Sequence, residues 1–100
     1  MEINVQFVKL KASDFLESFV VKELNKVSKK YKWIIKADVF FKTENDPKGK
    51  GQICDIQLSL PGPRIFASSN EESHEAAIDE TIRDLLIQLK KYKGNIKPHI

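Results

Sequence analysis

One cysteine, one methionine and one tryptophan occur in 100 residues, with four glycines and four prolines. A single thiol, Cys54, excludes an internal disulfide. With His74 and His99 it also falls short of the four ligands of an ordinary structural zinc site. No apolar run approaches the roughly 18 residues of a membrane span, and Met1-Glu-Ile-Asn-Val lacks the basic region and apolar stretch of a leader. These absences point to a cytoplasmic domain with no membrane partner. Large excess charge is missing too: 17 bases against 14 acids leave +3. If the chain meets a polyanion, the placement of its cations must matter more than their total.

Catalytic arrangements are equally scarce. His74 and His99 have no thiol or carboxylate placed as in a triad or a metal motif, and His74 reads as a surface side chain near a helix start. Lys48-Gly-Lys-Gly51 lacks the spacing of a phosphate-binding loop. Cys54 falls on the inward alternation of a strand, where it reads as a small core residue. The expectation is a protein that is not an enzyme, with no cofactor and no small-molecule substrate.

What is present is periodicity. Glu2 to Val8 alternates through Ile3, Val5 and Phe7, as a half-buried strand does. Ser13 suits an N-cap, and a helix follows from about Asp14 to Tyr31. Its stripe is Leu16, Val20, Leu24, Val27 and Tyr31, widened by Phe15 and Phe19. Trp33 to Thr43 predicts a second strand, with Ile35, Ala37, Val39 and Phe41 inward and Lys36, Asp38, Phe40 and Lys42 outward. Glu44 to Gly51 is a turn-rich connector. Gln52 to Leu60 resumes alternation with Cys54, Ile56, Leu58 and Leu60 inward. Pro61-Gly62-Pro63 is a turn, and Arg64 to Ser69 a short last strand.

The final helix is capped by Asn70 or Ser73. Ile78, Ile82, Leu85, Leu89 and Tyr92 share one face at steps of four and three. Its acids (Glu71, Glu72, Glu75, Asp79, Glu80) precede its bases (Lys90, Lys91, Lys93), as the helix dipole favours. Gly94 and Pro98 are read as its stop. The order β-α-β-β-β-α predicts an α+β fold: a four-stranded sheet with a central antiparallel meander and both helices on one face. Asn4, Gln6, Asp38, Gln57 and Ser59 take the wet face. Residues 1–95 read as one domain and 96–100 as a C-terminal tail.

Several stretches carry a likeness: Leu16-Glu-Ser-Phe-Val-Val-Lys-Glu-Leu-Asn-Lys-Val27, Ala37-Asp-Val-Phe-Phe41, Ile65-Phe-Ala-Ser68, Ala76-Ala-Ile-Asp79 and Gln88-Leu-Lys-Lys-Tyr-Lys93. In order and spacing the chain resembles the ribosome hibernation promoting factor and ribosome-associated inhibitor family, over nearly its whole length. Ending at Ile100, it resembles the short class. The resemblance implies a fold like double-stranded-RNA-binding domains with an added first strand. It also implies a site on the small ribosomal subunit, against ribosomal RNA, in the channel of messenger and transfer RNA. Lys26, Gln88, Lys90, Lys91 and Lys93 fit the family pattern. Glu23, Asp84 and Ile87 stand where the family commonly has basic residues, and Glu75 where it often has tyrosine. That implies a weaker RNA grip on the helix surface.

Helical spacing alone puts Lys22, Lys26 and Lys29 on one outer ridge of the first helix, and Arg83, Ile87 and Lys90 on one of the second, with Lys91 and Lys93 beyond. Such rows attract phosphates without reading sequence; they also serve merely to keep a helix soluble. The candidate RNA-binding residues are Lys22, Lys26, Lys29, Arg83, Lys90, Lys91 and Lys93, in a monomeric domain. The alternatives are a protein-interaction module, in which Glu23, Asp84 and Ile87 meet another partner, and a general double-stranded-RNA binder.

Overall fold

Alternation decides the sheet. In the computed structural model, which describes residues 1–95, the elements are β1 (Glu2–Phe7), α1 (Asp14–Lys30), β2 (Lys36–Thr43), β3 (Gln52–Ser59), β4 (Arg64–Glu71) and α2 (His74–Asn95). The strands lie in the order β1-β2-β3-β4. Hairpins join β2 to β3 and β3 to β4 antiparallel, whereas β1 lies parallel to β2. Register aligns the inward residues in rows: Val5, Val39, Ile56 and Ala67 form one. One face of the sheet is therefore apolar throughout, and both helices cover it.

A parallel pair cannot be closed by a tight turn, so the chain must cross over between β1 and β2, and α1 is that crossover. Ser13 starts it, its Oγ accepting from the Leu16 amide at 3.2 Å. Val20, Leu24 and Val27 are buried on the sheet side. Tyr31 closes the helix, its amide donating to the Val27 carbonyl at 2.9 Å. Helix α2 returns over β3 and β4, burying Ala77, Ile78, Thr81, Ile82, Leu85 and Leu89. Thr81 is satisfied by donating to the Cys54 carbonyl at 3.0 Å. Since β4 runs parallel to β2, and each helix runs back against its strands, α1 and α2 point the same way.

The α+β architecture agrees with the sequence reading, and several details differ. Strand β2 begins at Lys36; the inward residue before it is Ile34, 4% exposed, while Ile35 is 57% exposed. The irregular 31–35 segment breaks the alternation that would have turned Ile35 in. Phe15 is 60% exposed rather than part of the buried stripe, and its ring stands edge-on to Phe19. Strand β4 runs two residues further, to Glu71, so Asn70 is a strand residue. It accepts from the Gly51 amide at 2.6 Å and donates to Glu44 at 2.6 Å, latching the β2–β3 connector. Ser73 is the cap of α2, accepting from the Ala76 amide at 3.1 Å. The helix runs through Gly94 to Asn95, and the predicted tail at 96–100 lies outside the described residues.

Leu24→Ala should destabilise the fold by about 2–5 kcal/mol in urea unfolding, the range for a fully buried leucine. Ile35→Ala should stay within about 0.5 kcal/mol, since its side chain is largely in water.

Candidate nucleic-acid interface

The burial of Val20, Leu24 and Val27 against the sheet forces the lysines of α1 outward. Lys22, Lys26 and Lys29 line a shallow concavity on its outer face with Ser18, Val21 and Asn25. A second concavity, of about 290 Å³, is the groove between the helices: Glu23, Lys26, Val27 and Lys30 face Ile82 and Leu86 across it. Lys26 thus borders both. Its amine lies 3.0 Å from the Glu23 carboxylate, one turn back, yet its side chain stays largely exposed.

On α2 the predicted cations divide. Arg83 is tied to Glu80 at 3.3 Å. Lys90, Lys91 and Lys93 are exposed and take part in none of the ion pairs formed among the described residues. At about 100° per residue, Lys90 and Lys93 lie on the α1 side of α2, close in angle to Leu86. Lys91 lies on the opposite flank, with Asp84. The structure therefore gathers Lys22, Lys26, Lys29, Lys90 and Lys93 on adjoining helix surfaces, with Lys91 at the same end of α2 on its other flank. Arg83 shares the Lys90 side of α2 about two turns earlier, where it is paired with Glu80.

Charge is partitioned along this pair of helices. Residues 24–32 hold Lys26, Lys29, Lys30 and Lys32, residues 85–93 hold Lys90, Lys91 and Lys93, and neither segment contains a carboxylate. Upstream, Asp14, Glu17 and Glu23 accompany the lone Lys22 in α1 and its cap. Glu71, Glu72, Glu75, Asp79, Glu80 and Asp84 accompany the lone Arg83 before and in α2. Because the helices point the same way, like ends meet. Tyr31 lies edge-on to Trp33 at 5.7 Å, and Trp33 meets Tyr92 at 5.5 Å, so the end of α1 is packed against the last turns of α2.

Helical spacing does not reach Lys32, which sits between Tyr31 and Trp33 in no regular element. It puts Lys30 on the polar side of the first helix without making it a candidate contact, although Lys30 lines the groove. The run Lys29-Lys30-Tyr31-Lys32 was the available signal.

A family model described as sigma 54 modulation protein / S30EA ribosomal protein matches residues 3–97. The chain belongs to this family. Relatives include a ribosome hibernation promoting factor of Klebsiella oxytoca, 28% identical over 99 residues, covering 99% of this chain and all of that protein. Another of the same name, from Pseudomonas putida, is 28% identical over 93 residues, or 93% of this chain and 87% of its own. Among solved structures, a ribosomal subunit interface protein from Coxiella burnetii matches with a TM-score of 0.82 at 25% identity, over 95% of this chain and all of that one. The N-terminal domain of Protein Y from Thermus thermophilus shares the fold, with a TM-score of 0.78 at 24% identity over 92% and 99% of the two chains.

Within this family member, Gln88 is a structural residue: its amide nitrogen donates to the Phe66 carbonyl at 2.8 Å, fastening α2 to β4. His74 is half-buried, contrary to the surface placement expected of it. Its Nε2 lies 2.9 Å from the Lys42 carbonyl and its ring stands edge-on to Phe41. Of the aromatics on the sheet's open face, Phe40 is half-buried and Phe66 53% exposed. Asp55, also on that face, is buried between Lys42 at 2.7 Å and the Ser68 hydroxyl, which donates to it.

Burial pushes the Cys54 thiol up from 9.0 to about 12, with the Asp55 carboxylate adding to the effect and a hydrogen bond from Thr81 opposing it. A thiol so raised is not a poised nucleophile. The unfolded chain releases this proton near pH 9, while the folded chain keeps it until about 12. The stability linked to Cys54 is therefore present below pH 9 and lost as pH rises towards 12. Urea midpoints measured across that window should fall less steeply for Cys54→Ala than for the parent. Native Cys54 should also resist a thiol reagent at pH 8 until the chain is unfolded.

Proposed function

We propose that this chain is a ribosome hibernation factor: a single rigid domain that acts as a monomer in the cytoplasm, binds the small ribosomal subunit and occupies the channel of messenger and transfer RNA. The observation that carries this reading is the adjoining lysine surface of two helices packed on one face of one sheet. Family membership over residues 3–97 and the names of the relatives support the ribosomal partner.

The mechanism is occupancy. Exposed ammonium groups neutralise backbone phosphates and release counterions, which supplies affinity without sequence readout. The folded body then excludes other RNA from the same space. No bond is made or broken, so no cofactor or small-molecule substrate is needed. Lys22, Lys26, Lys29, Lys90, Lys91 and Lys93 are the contacts on this reading, with Arg83 weakened by its pairing to Glu80.

A protein-interaction module is favoured by one observation: Ile87, 55% exposed, points away from the core beside Asp84. Salt separates the two readings. Six phosphate contacts give a slope near 5 in log affinity against log salt, so affinity for small subunits should weaken about 10³-fold from 50 to 200 mM. A contact centred on Ile87 would change little. Lys90→Glu with Lys91→Glu should abolish cosedimentation while leaving circular dichroism intact; unchanged cosedimentation would refute the assigned surface. A general RNA binder would take a short duplex as readily as intact subunits.

A further inference from the structure

We propose that the grip on RNA is centred on the pole where both helices end, that Lys30 and Lys32 belong to it, and that Arg83 does not. This deepens the ribosomal reading and rests on it for the identity of the RNA.

The partition of charge is the first argument. The terminal segments of the helix layer, residues 24–32 and 85–93, carry seven lysines and no carboxylate. Their convergence is the second: Trp33 bridges Tyr31 and Tyr92, so the two groups of lysines surround one aromatic junction. Lys30 lines the groove opposite Leu86, and Lys32 is exposed between the two aromatic residues of the junction. Tyr92 also donates to the Pro61 carbonyl at 3.2 Å, which brings the turn before Arg64 to the same end. Two carboxylates lie near the strand starts here, Glu2 in β1 and Asp38 in β2, but both are on the open face of the sheet, opposite the helices. Asp38 is paired with Lys36 at 3.5 Å, and Glu2 accepts from Asn4.

Magnitudes exclude a purely local role for these lysines. A helix C-terminus carries about half a negative charge, so two of them offset about one of the seven cations. At about 1.5 Å per residue, Glu75 lies about 22 Å along α2 from Lys90, more than two screening lengths at physiological salt, and Asp84, the acid of α2 nearest the pole, about 9 Å away, about one screening length. The acidic ends therefore leave most of the basic pole weakly screened, the exception being Lys26, whose amine lies 3.0 Å from Glu23. Arg83 stands within one turn of Asp79, Glu80 and Asp84, where a phosphate meets more repulsion than attraction. The protein is bound with its helix C-termini against RNA and its helix N-termini turned away.

The test compares Lys30→Glu/Lys32→Glu with Arg83→Glu, using purified small subunits and, separately, a short RNA duplex, each at several salt concentrations. Trp33, the sole tryptophan, supplies an emission signal at the proposed contact. The pole variant should lose at least tenfold in affinity and about two units of salt slope. Arg83→Glu should change affinity less than twofold and leave the slope alone. Lys30→Gln/Lys32→Gln, which adds no adverse charge at the helix end, should show the same loss of slope, separating contact from folding. Binding of parent protein should shift Trp33 emission. Equal losses for both charge reversals, or an unchanged slope in the pole variants, would overturn the proposal. If the parent binds the duplex but not the subunits and the pole pattern holds, the hibernation reading falls and the pole stands. If the parent binds neither, both fall.

Discussion

The parallel pairing of β1 with β2 is the constraint on which the rest depends. Six residue pairs, from Glu2 opposite Lys36 to Phe7 opposite Phe41, hold it in register. A parallel pair demands a crossover, and a crossover long enough to bury an apolar stripe is a helix. The two antiparallel hairpins that follow reverse the chain twice, so α2 returns in the same direction as α1. Two helices with the same polarity have like ends side by side.

That geometry turns a local preference into a property of the whole molecule. Acids near helix starts and bases near helix ends are each worth a fraction of a kcal/mol to an isolated helix. Here the preference is met twice, in helices that share a direction and a supporting sheet face. The consequence is a helix layer acidic at one end and basic at the other, within a chain whose net charge is only +3. Glu23 and Asp84, which depart from the family's basic pattern, fall in the acidic part. Asp84 sharpens the division, while Glu23, at its boundary, pairs with Lys26 and offsets that one lysine.

The open face of the sheet follows a different logic. The row across its middle joins Gln6, Phe40, Asp55 and Ser68, and Asp55 is buried there because Lys42 and Ser68 close over it. A buried carboxylate with both a cation and a hydroxyl is satisfied, so it serves the sheet. Phe66, on the neighbouring row, is held in a strand whose carbonyl is used by Gln88. The residues that resembled the family pattern therefore divide by role: Gln88 fastens the layers, and the lysines face solvent.

Much of the architecture was legible in the chain: the element order, the inward rows and both helical stripes follow from periods of two and of 3.6 residues, which the sequence by itself determined. The same periods showed that Lys22, Lys26 and Lys29 share a ridge and that Ile87 points outward. They failed where no regular period runs: at Ile34 and Ile35 before β2, at Asn70 beyond the expected strand end, and at Lys32 in the turn after α1. Only the tertiary structure decided that His74 is half-buried against Phe41, that Arg83 is occupied by Glu80, and which lysines become neighbours across the helix pair. The reason is physical: periodicity describes one element about its own axis, whereas adjacency between elements is set by strand pairing and by the packing of Tyr31, Trp33 and Tyr92.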